Sequence, residues 1–204
     1  MTAALKPRSN QHLRTRKDLL QAAGRLLKAG RKPTMDEVAA AALVSRATAY
    51  RYFPTLESLL VEAPLDGAVP EPGKVFAADA SADPAERLDR AEAAMHAMTY
   101  QNEAQLRMML ANSLVHGTAE GERATLPQRQ NRRTPLIEAA LAPSRQRFSR
   151  EAYENLRAAL TLVFGTEAMV VFRDVLLISE RKARKVKSWT IHALVRAALK
   201  DSKS

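Results

Sequence analysis

The stretch from Thr34 to Phe53, TMDEVAAAALVSRATAYRYF, constrains the fold more than any other part of the chain. Thr34 has Glu37 three residues after it, which is the spacing of a capping box at the start of a helix. Ser45 offers a second N-cap, and it predicts a helix of about two turns over Arg46 to Tyr52. Two short helices joined by a tight turn predict a helix-turn-helix, whose second helix fits the major groove of DNA.

The remaining pattern is helical, and no alternating apolar and polar run indicates a sheet. We therefore predict an all-α protein with an N-terminal three-helix helix-turn-helix domain and a larger helical regulatory and dimerisation domain. A cluster of prolines and glycines separates the two regions. The predicted limits are residues 10–57 for the DNA-binding domain, 58–82 for a connecting helix end and linker, and 83–204 for the helical domain that binds an effector and dimerises.

Caps, prolines and apolar periodicity also give approximate element limits. Pro64 is expected to end or kink the fourth helix, which starts near Thr55. Residues 1–9 are expected to form a basic arm, and the polar segment 117–134 is expected to form a loop. The other helices are predicted at about 11–29, 74–78 (a single turn), 84–99, 102–116, 135–143, 150–176 and 180–200.

Charge favours a polyanionic partner, since 32 basic residues face 22 acidic ones and the formal net charge is +10. Residues 1–60 hold 11 Lys and Arg but only four Asp and Glu, so the excess surrounds the helix-turn-helix. An ordinary basic surface remains the alternative explanation. The chain has no cysteine, no signal-peptide pattern and no apolar run long enough to cross a membrane, and we expect a cytoplasmic protein.

The opening stretch also resembles the DNA-binding signature of TetR-type (tetracycline-repressor-like) transcriptional regulators. The resemblance rests on Thr34, Val38–Ala42, Val44-Ser45, Thr48, Tyr50–Phe53 and Leu59. Leu43 stands where the family usually has a glycine in the turn, and Leu56 stands where it usually has a lysine. Residues 165–199 resemble the last two helices of many members, with Glu167, Asp174 and Trp189 in a familiar layout.

The resemblance implies a regulator, most simply a repressor, that binds a palindromic operator in double-stranded DNA as a homodimer and responds to a small-molecule effector. The candidate DNA-binding residues are Thr34, Ser45, Arg46, Ala47, Thr48, Tyr50, Arg51 and Tyr52. The candidate effector pocket is Met95, Met98, Tyr100, Gln105, Met109, Asn112, His116, Phe164 and Glu167, although core packing explains each residue equally well. The candidate dimer interface is Leu162, Met169, Phe172, Trp189 and Leu194.

Three other classes stay open at this point. A nonspecific DNA-compaction protein would share the basic charge, and an interaction module could have lost DNA binding through Leu43 and Leu56. An enzyme is less favoured, since the seven glycines form no phosphate-binding loop and neither GxSxG nor HExxH occurs. His96 and His116 have no neighbouring set of ligands, so we expect neither a metal nor a cofactor.

Overall fold

A computed structural model of the chain describes residues 7–78, 81–116 and 131–202. This part of the chain is helical and contains no strand, which confirms the all-α prediction. The helices are α1 (Pro7–Lys28), α2 (Met35–Ala41), α3 (Arg46–Tyr52), α4 (Leu56–Ala68), α5 (Pro72–Val75), α6 (Pro84–Gln101), α7 (Glu103–His116), α8 (Thr134–Leu141), α9 (Arg150–Val163), α10 (Thr166–Val170) and α11 (Glu180–Asp201). A 3-10 segment, Ala142–Arg147, follows α8, and a π-helical turn, Val171–Val175, follows α10.

The chain divides into two compact units. Among the described residues, the first takes in 7–68 and 104–116, and the second takes in 69–78, 81–103 and 131–202. The domain limits predicted from the sequence are different from this division and stay a proposal.

The first unit has its core where α1, α2, α3 and α4 meet. α1 packs on α2 and α4, and α2 packs on α3. The side chains that they bury are mostly aliphatic, with two aromatic rings from the end of α3. They are Leu19, Leu20, Ala22, Ala23, Met35, Val38, Ala39, Ala49, Tyr52, Phe53, Leu59 and Ala63.

The second unit is built on α6, α8, α9 and α11, with α6 packed on α8 and α11, and α11 packed on α9. Its fully buried side chains include Leu88, Leu136, Leu160, Phe164 and Ile191. Ser149 and Ser179 cap the starts of α9 and α11, because their hydroxyls accept the backbone N–H groups of Ala152 and Lys182.

The predicted long helix over 150–176 is wrong, because it breaks at Gly165. Gly165 has φ +101, a value that side chains rarely tolerate. Arg133 crosses this break and donates to the Thr161 carbonyl at 2.7 Å and to Glu167 at 2.8 Å. Its guanidinium thereby supplies donors at the point where the helical ladder is interrupted.

Two element limits near the N-terminal region also differ from the sequence prediction. α1 begins at Pro7, inside the predicted arm, since proline at a first helical position needs no hydrogen-bond partner. α4 continues through Pro64 to Ala68 instead of ending there. Burial of Ala63 and Leu65 on either side of this proline offsets the lost backbone hydrogen bond. Of the predicted loop, residues 117–130 lie outside the described residues, and Thr134 already begins α8.

Candidate nucleic-acid interface

The start of α2 is fixed by a reciprocal cap. The Thr34 hydroxyl accepts the Glu37 backbone N–H at 3.3 Å, and the Thr34 backbone N–H donates to the Glu37 carboxylate at 2.8 Å. This backbone hydrogen bond, with help from the Thr34 side chain and the charge of Arg31, holds the pKa of Glu37 below its ordinary value. The capping box read from the sequence is therefore present.

The turn between α2 and α3 has a Schellman geometry. The Leu43 N–H donates to the Ala40 carbonyl at 3.1 Å, and the Val44 N–H donates to the Ala39 carbonyl at 3.0 Å. Leu43 has φ +58, which is the left-handed conformation that glycine normally supplies. Its side chain is 93% exposed, so the surrounding protein gives little packing in return for the backbone strain.

The recognition helix α3 begins at Ser45, whose hydroxyl accepts the Thr48 backbone N–H at 3.1 Å. The Ser45 and Thr48 hydroxyls are also 2.9 Å apart and share a hydrogen bond. The cap orients both side chains at the start of the helix. The side chains exposed around α3 are those of Ser45, Arg46, Ala47, Tyr50 and Arg51.

The opposite side of α3 is anchored in the core. Ala49 and Phe53 are buried, and Tyr52 is only 4% exposed, with its ring 4.4 Å from that of His12. The Tyr52 ring therefore contributes to packing against α1, and its predicted contact with DNA stays a prediction. The remaining candidate contacts stay predictions.

Arg46 contacts two side chains of its own domain in the absence of DNA. Its guanidinium donates to Asp36 of α2 at 3.1 Å and lies 5.5 Å from the centre of the Tyr50 ring. Both partners of the ion pair are well exposed, so water screens the pair and its net stabilisation is small. The pair directs a flexible side chain along the exposed side of the helix-turn-helix.

A buried ion pair joins α1 to α4 and was not foreseen from the sequence. Arg16 donates twice to Glu62, at 2.6 Å in each case, and its guanidinium lies 4.5 Å above the Phe53 ring. Arg16 is thus a structural residue and contributes no free positive charge to the surface. Its partner is 46 residues away, and neither residue stands out from other charged residues on helix faces.

Exposed positive charges are nevertheless numerous on α1 and the turn that follows it. Six arginines and lysines of α1 and the following turn are exposed, whereas nearby acids are few. Leu56, which stands where a lysine is usual in the resembling proteins, lies half-buried against the core. The exposed cations are Arg14, Lys17, Arg25, Lys28, Arg31 and Lys32.

A short helix that is anchored on one side and exposed on the other, in a unit with many exposed cations, is typical of a helix-turn-helix DNA-binding domain. Residues 19–63 match the family of bacterial regulatory proteins described as the tetR family. This match assigns residues 19–63 to a TetR-type DNA-binding domain and supports a DNA-binding transcriptional regulator. No curated protein matches the chain.

The candidate effector residues are divided between the two units. In the second unit, Met95, Met98 and Phe164 are buried, while Glu167 pairs with Arg133. Gln105 and Met109 belong to the first unit. The side chains of Asn112 and His116 lie outside the described residues, so a pocket shared by all nine remains a prediction.

Tyr100, another of these candidates, stacks on His96 with the ring centres 4.2 Å apart. Its buried hydroxyl has no hydrogen-bond partner among the described residues. Burial, followed by the negative charge of Glu180, raises the pKa of Tyr100, so the phenol is neutral at physiological pH. Met95, Tyr100 and Phe164 therefore offer both apolar surface and one unsatisfied polar atom within this unit.

The candidate dimer residues differ strongly in exposure. Leu162 is 77% exposed and Trp189 is 70% exposed, whereas Phe172 and Leu194 are half-buried. Met169 is fully buried and belongs to the core of the second unit, which differs from its predicted interface role.

Two other findings concern the described residues as a set. None of their His, Asp and Glu side chains cluster in a way that could hold a metal ion. No helix among them combines the length and apolar character that a membrane span needs.

Proposed function

We propose that this regulator represses transcription by binding a palindromic operator sequence-specifically as a homodimer. The observation that carries the proposal is the two-sided character of α3. Ala49, Tyr52 and Phe53 fix the helix in the core, while Arg46, Ala47 and Tyr50 project from the other side. A helix held in this way can enter the major groove without rearranging the domain beneath it.

The exposed side of α3 offers few groups that discriminate bases. Arg46 can donate two hydrogen bonds to a guanine edge, and Ala47 and Thr48 can contact thymine methyl groups. Tyr50 and Arg51 are suited to phosphates, as are the Thr34 and Ser45 hydroxyls at the caps. One such helix reads a short half-site, so useful specificity needs two copies on the same DNA.

The second unit offers a surface for such pairing. Several large apolar side chains on α9, on the π-helical turn with its C-terminal flank, and on α11 are exposed to an extent unusual in a monomer. An isologous two-fold contact would bury them and fix the distance between the two recognition helices. These side chains are Leu162, Val171, Val175, Leu176, Leu177 and Trp189.

A small-molecule effector would act by a population shift. A ligand that binds more tightly to a dimer with wrongly spaced recognition helices lowers the occupancy of the operator. The pocket proposed for this ligand contains Met95, Met98, Tyr100 and Phe164. The other residues predicted from the sequence complete it, namely Gln105, Met109, Asn112, His116 and Glu167.

The test is selection of bound sequences from a random DNA pool, combined with the mass of the free protein and of its complex. We expect an enriched palindrome, a dimeric mass and an affinity that falls steeply with salt. Arg46→Ala should relax the base preference at one symmetric position and cost about 1–3 kcal/mol. Lys32→Ala is the matched control, since this cation precedes α2 and should weaken all sequences equally.

Two results would contradict the proposal. Binding without any enriched sequence would indicate the alternative of a nonspecific DNA-binding protein. A monomeric mass on an asymmetric site would remove the homodimer and the palindrome together.

A further inference from the structure

A groove between α6 and α11 of the second unit has a volume of about 630 Å³. This size falls within the range of sites for small molecules. None of its lining residues belongs to the effector pocket predicted from the sequence. They are Asp89, Glu92, Ala93, Glu180, Arg181, Arg184, Lys185 and Ser188.

The three acids of the groove already hold partners in the same unit. Each one accepts a hydrogen bond from a lysine or histidine. The pairs are Glu92 with Lys187 at 2.7 Å, Asp89 with His192 at 2.8 Å, and Glu180 with His96 at 3.1 Å.

The Lys187 pair is deeply buried, since the Lys187 side chain is only 1% exposed. Lys187 Nζ also lies 3.3 Å from His96 Nδ1. His96 Nδ1 in turn lies 3.7 Å from Glu92. Burial alone would raise the pKa of Glu92, but the hydrogen bond to His96 and the charge of Lys187 outweigh it and hold that pKa below its ordinary value. Hydrogen bonds thus connect Glu92, Lys187, His96 and Glu180, whereas Asp89 pairs separately with His192.

The cations of the groove have no such partners. Arg181, Arg184 and Lys185 are exposed, and none of them forms an ion pair within the part of the chain that the structure describes. Two guanidinium groups and one ammonium group on successive turns can surround a ligand with several negative charges. Arginine is especially suited to this task, because its planar fork matches phosphate and carboxylate oxygens.

We propose that the groove between α6 and α11 binds a small organic anion that carries at least two phosphate or carboxylate groups, and that this anion is an effector of the regulator. Arg181, Arg184 and Lys185 supply the charge, and Ser188 lies at the same lining. The regulatory part rests on the proposed function, whereas anion binding stands on the groove alone. The concave shape favours a small molecule over the backbone of DNA.

The first experiment is calorimetric titration of the full-length protein, without DNA, with pyrophosphate and with citrate at constant ionic strength. Tighter binding of pyrophosphate assigns the site to phosphate chemistry, and tighter binding of citrate assigns it to carboxylate chemistry. The R181Q/R184Q double variant should bind the preferred anion more than tenfold more weakly, because it loses two charge-assisted sites. Lys182→Gln is the matched control, since Lys182 is an exposed cation of the same helix that does not line the groove.

Three outcomes overturn the binding proposal. The first is that neither anion shows saturable binding. The second is that Lys182→Gln weakens binding as much as R181Q/R184Q does, which would indicate general charge attraction. The third is loss of DNA binding in R181Q/R184Q with anion binding unchanged, which would assign the cations to a DNA backbone.

The second experiment measures operator affinity with and without the preferred anion. We expect a change of at least fivefold in the wild type and no change in R181Q/R184Q. Anion binding with unaltered operator affinity would overturn the regulatory part only. Failure to select any operator would overturn the proposed function, and the calorimetry would still decide the site.

Discussion

Replacing Leu43 by glycine should stabilise the protein. The left-handed conformation at φ +58 costs a side-chain-bearing residue about 1–2 kcal/mol. Glycine loses more entropy on folding, which offsets about 0.4–1 kcal/mol of that gain. Because the leucine side chain is 93% exposed, its removal sacrifices almost no packing. The net expectation for Leu43→Gly is a gain of about 0.5–1 kcal/mol in the free energy of unfolding.

Urea denaturation followed by circular dichroism measures this gain, and thermal unfolding should shift upward by roughly 1–4 °C. Leu43→Ala is the first control, since alanine keeps the strained backbone and should change stability by less than about 0.5 kcal/mol. A difference between these two variants isolates the backbone term from the loss of the side chain.

Gly30 provides the second control, because the end of α1 has the same hydrogen-bond pattern. Gly30 donates to Leu27 at 3.0 Å, and Arg31 donates to Leu26 at 3.1 Å. Gly30 has φ +73, and a side chain there would meet no atom within 4 Å. Gly30→Ala should therefore destabilise by about 1 kcal/mol through conformation alone. The reasoning is refuted if Leu43→Gly is no more stable than Leu43→Ala, or if Gly30→Ala is neutral.

Three further predictions concern charge and association. Arg16→Met should lower the free energy of unfolding, measured by urea denaturation, by about 3–5 kcal/mol, because it leaves Glu62 buried without its partner. Adding Glu62→Leu should restore most of that loss. An unchanged midpoint for the single variant would contradict this prediction. Since the pKa of Glu92 is lowered in the folded protein, its contribution to stability is present above the ordinary value of 4.5 and is lost as pH falls through the lower folded value. Denaturation at neutral and acidic pH should show that acid lowers the free energy of unfolding less for Glu92→Gln than for the wild type. An equal decrease in both proteins would show that Glu92 does not make this contribution. Trp189→Glu should convert dimers to monomers in sedimentation experiments at unchanged helical content, and a persisting dimer would exclude this face as the interface.

Local signals made the DNA-binding domain predictable from the sequence. Thr34, Glu37 and Ser45 act through hydrogen bonds over three residues, so their spacing alone sets the starts of α2 and α3. The side of α3 that faces the core was harder to predict from the sequence, because the burial of Tyr52 depends on how α1 lies against it. Residue type alone could not distinguish this tyrosine from the exposed Tyr50.

The features missed from the sequence depend on distant partners. The helix break at Gly165 relies on Arg133, 32 residues earlier, whose guanidinium takes up the carbonyl of Thr161. A single glycine within an apolar run is compatible with a continuous helix until that donor is known. The groove between α6 and α11 was likewise hidden, because its charges are separated by about ninety residues of chain.

The contact between Arg46 and Asp36 gives the recognition helix an internal competitor for its main base-reading group. In the proposed complex, Arg46 must leave a carboxylate 3.1 Å away before it can bond to DNA, and Asp36 then stands near a negatively charged duplex. When Arg46 binds a phosphate of arbitrary DNA, it only exchanges one anionic partner for another. A bidentate contact to guanine also matches the geometry of the guanidinium group, so it is favoured over the pair with Asp36. Asp36 would thus reduce attachment to arbitrary DNA more than attachment to the operator. The carboxylate of Asp36 would therefore improve the discrimination between the operator and other DNA.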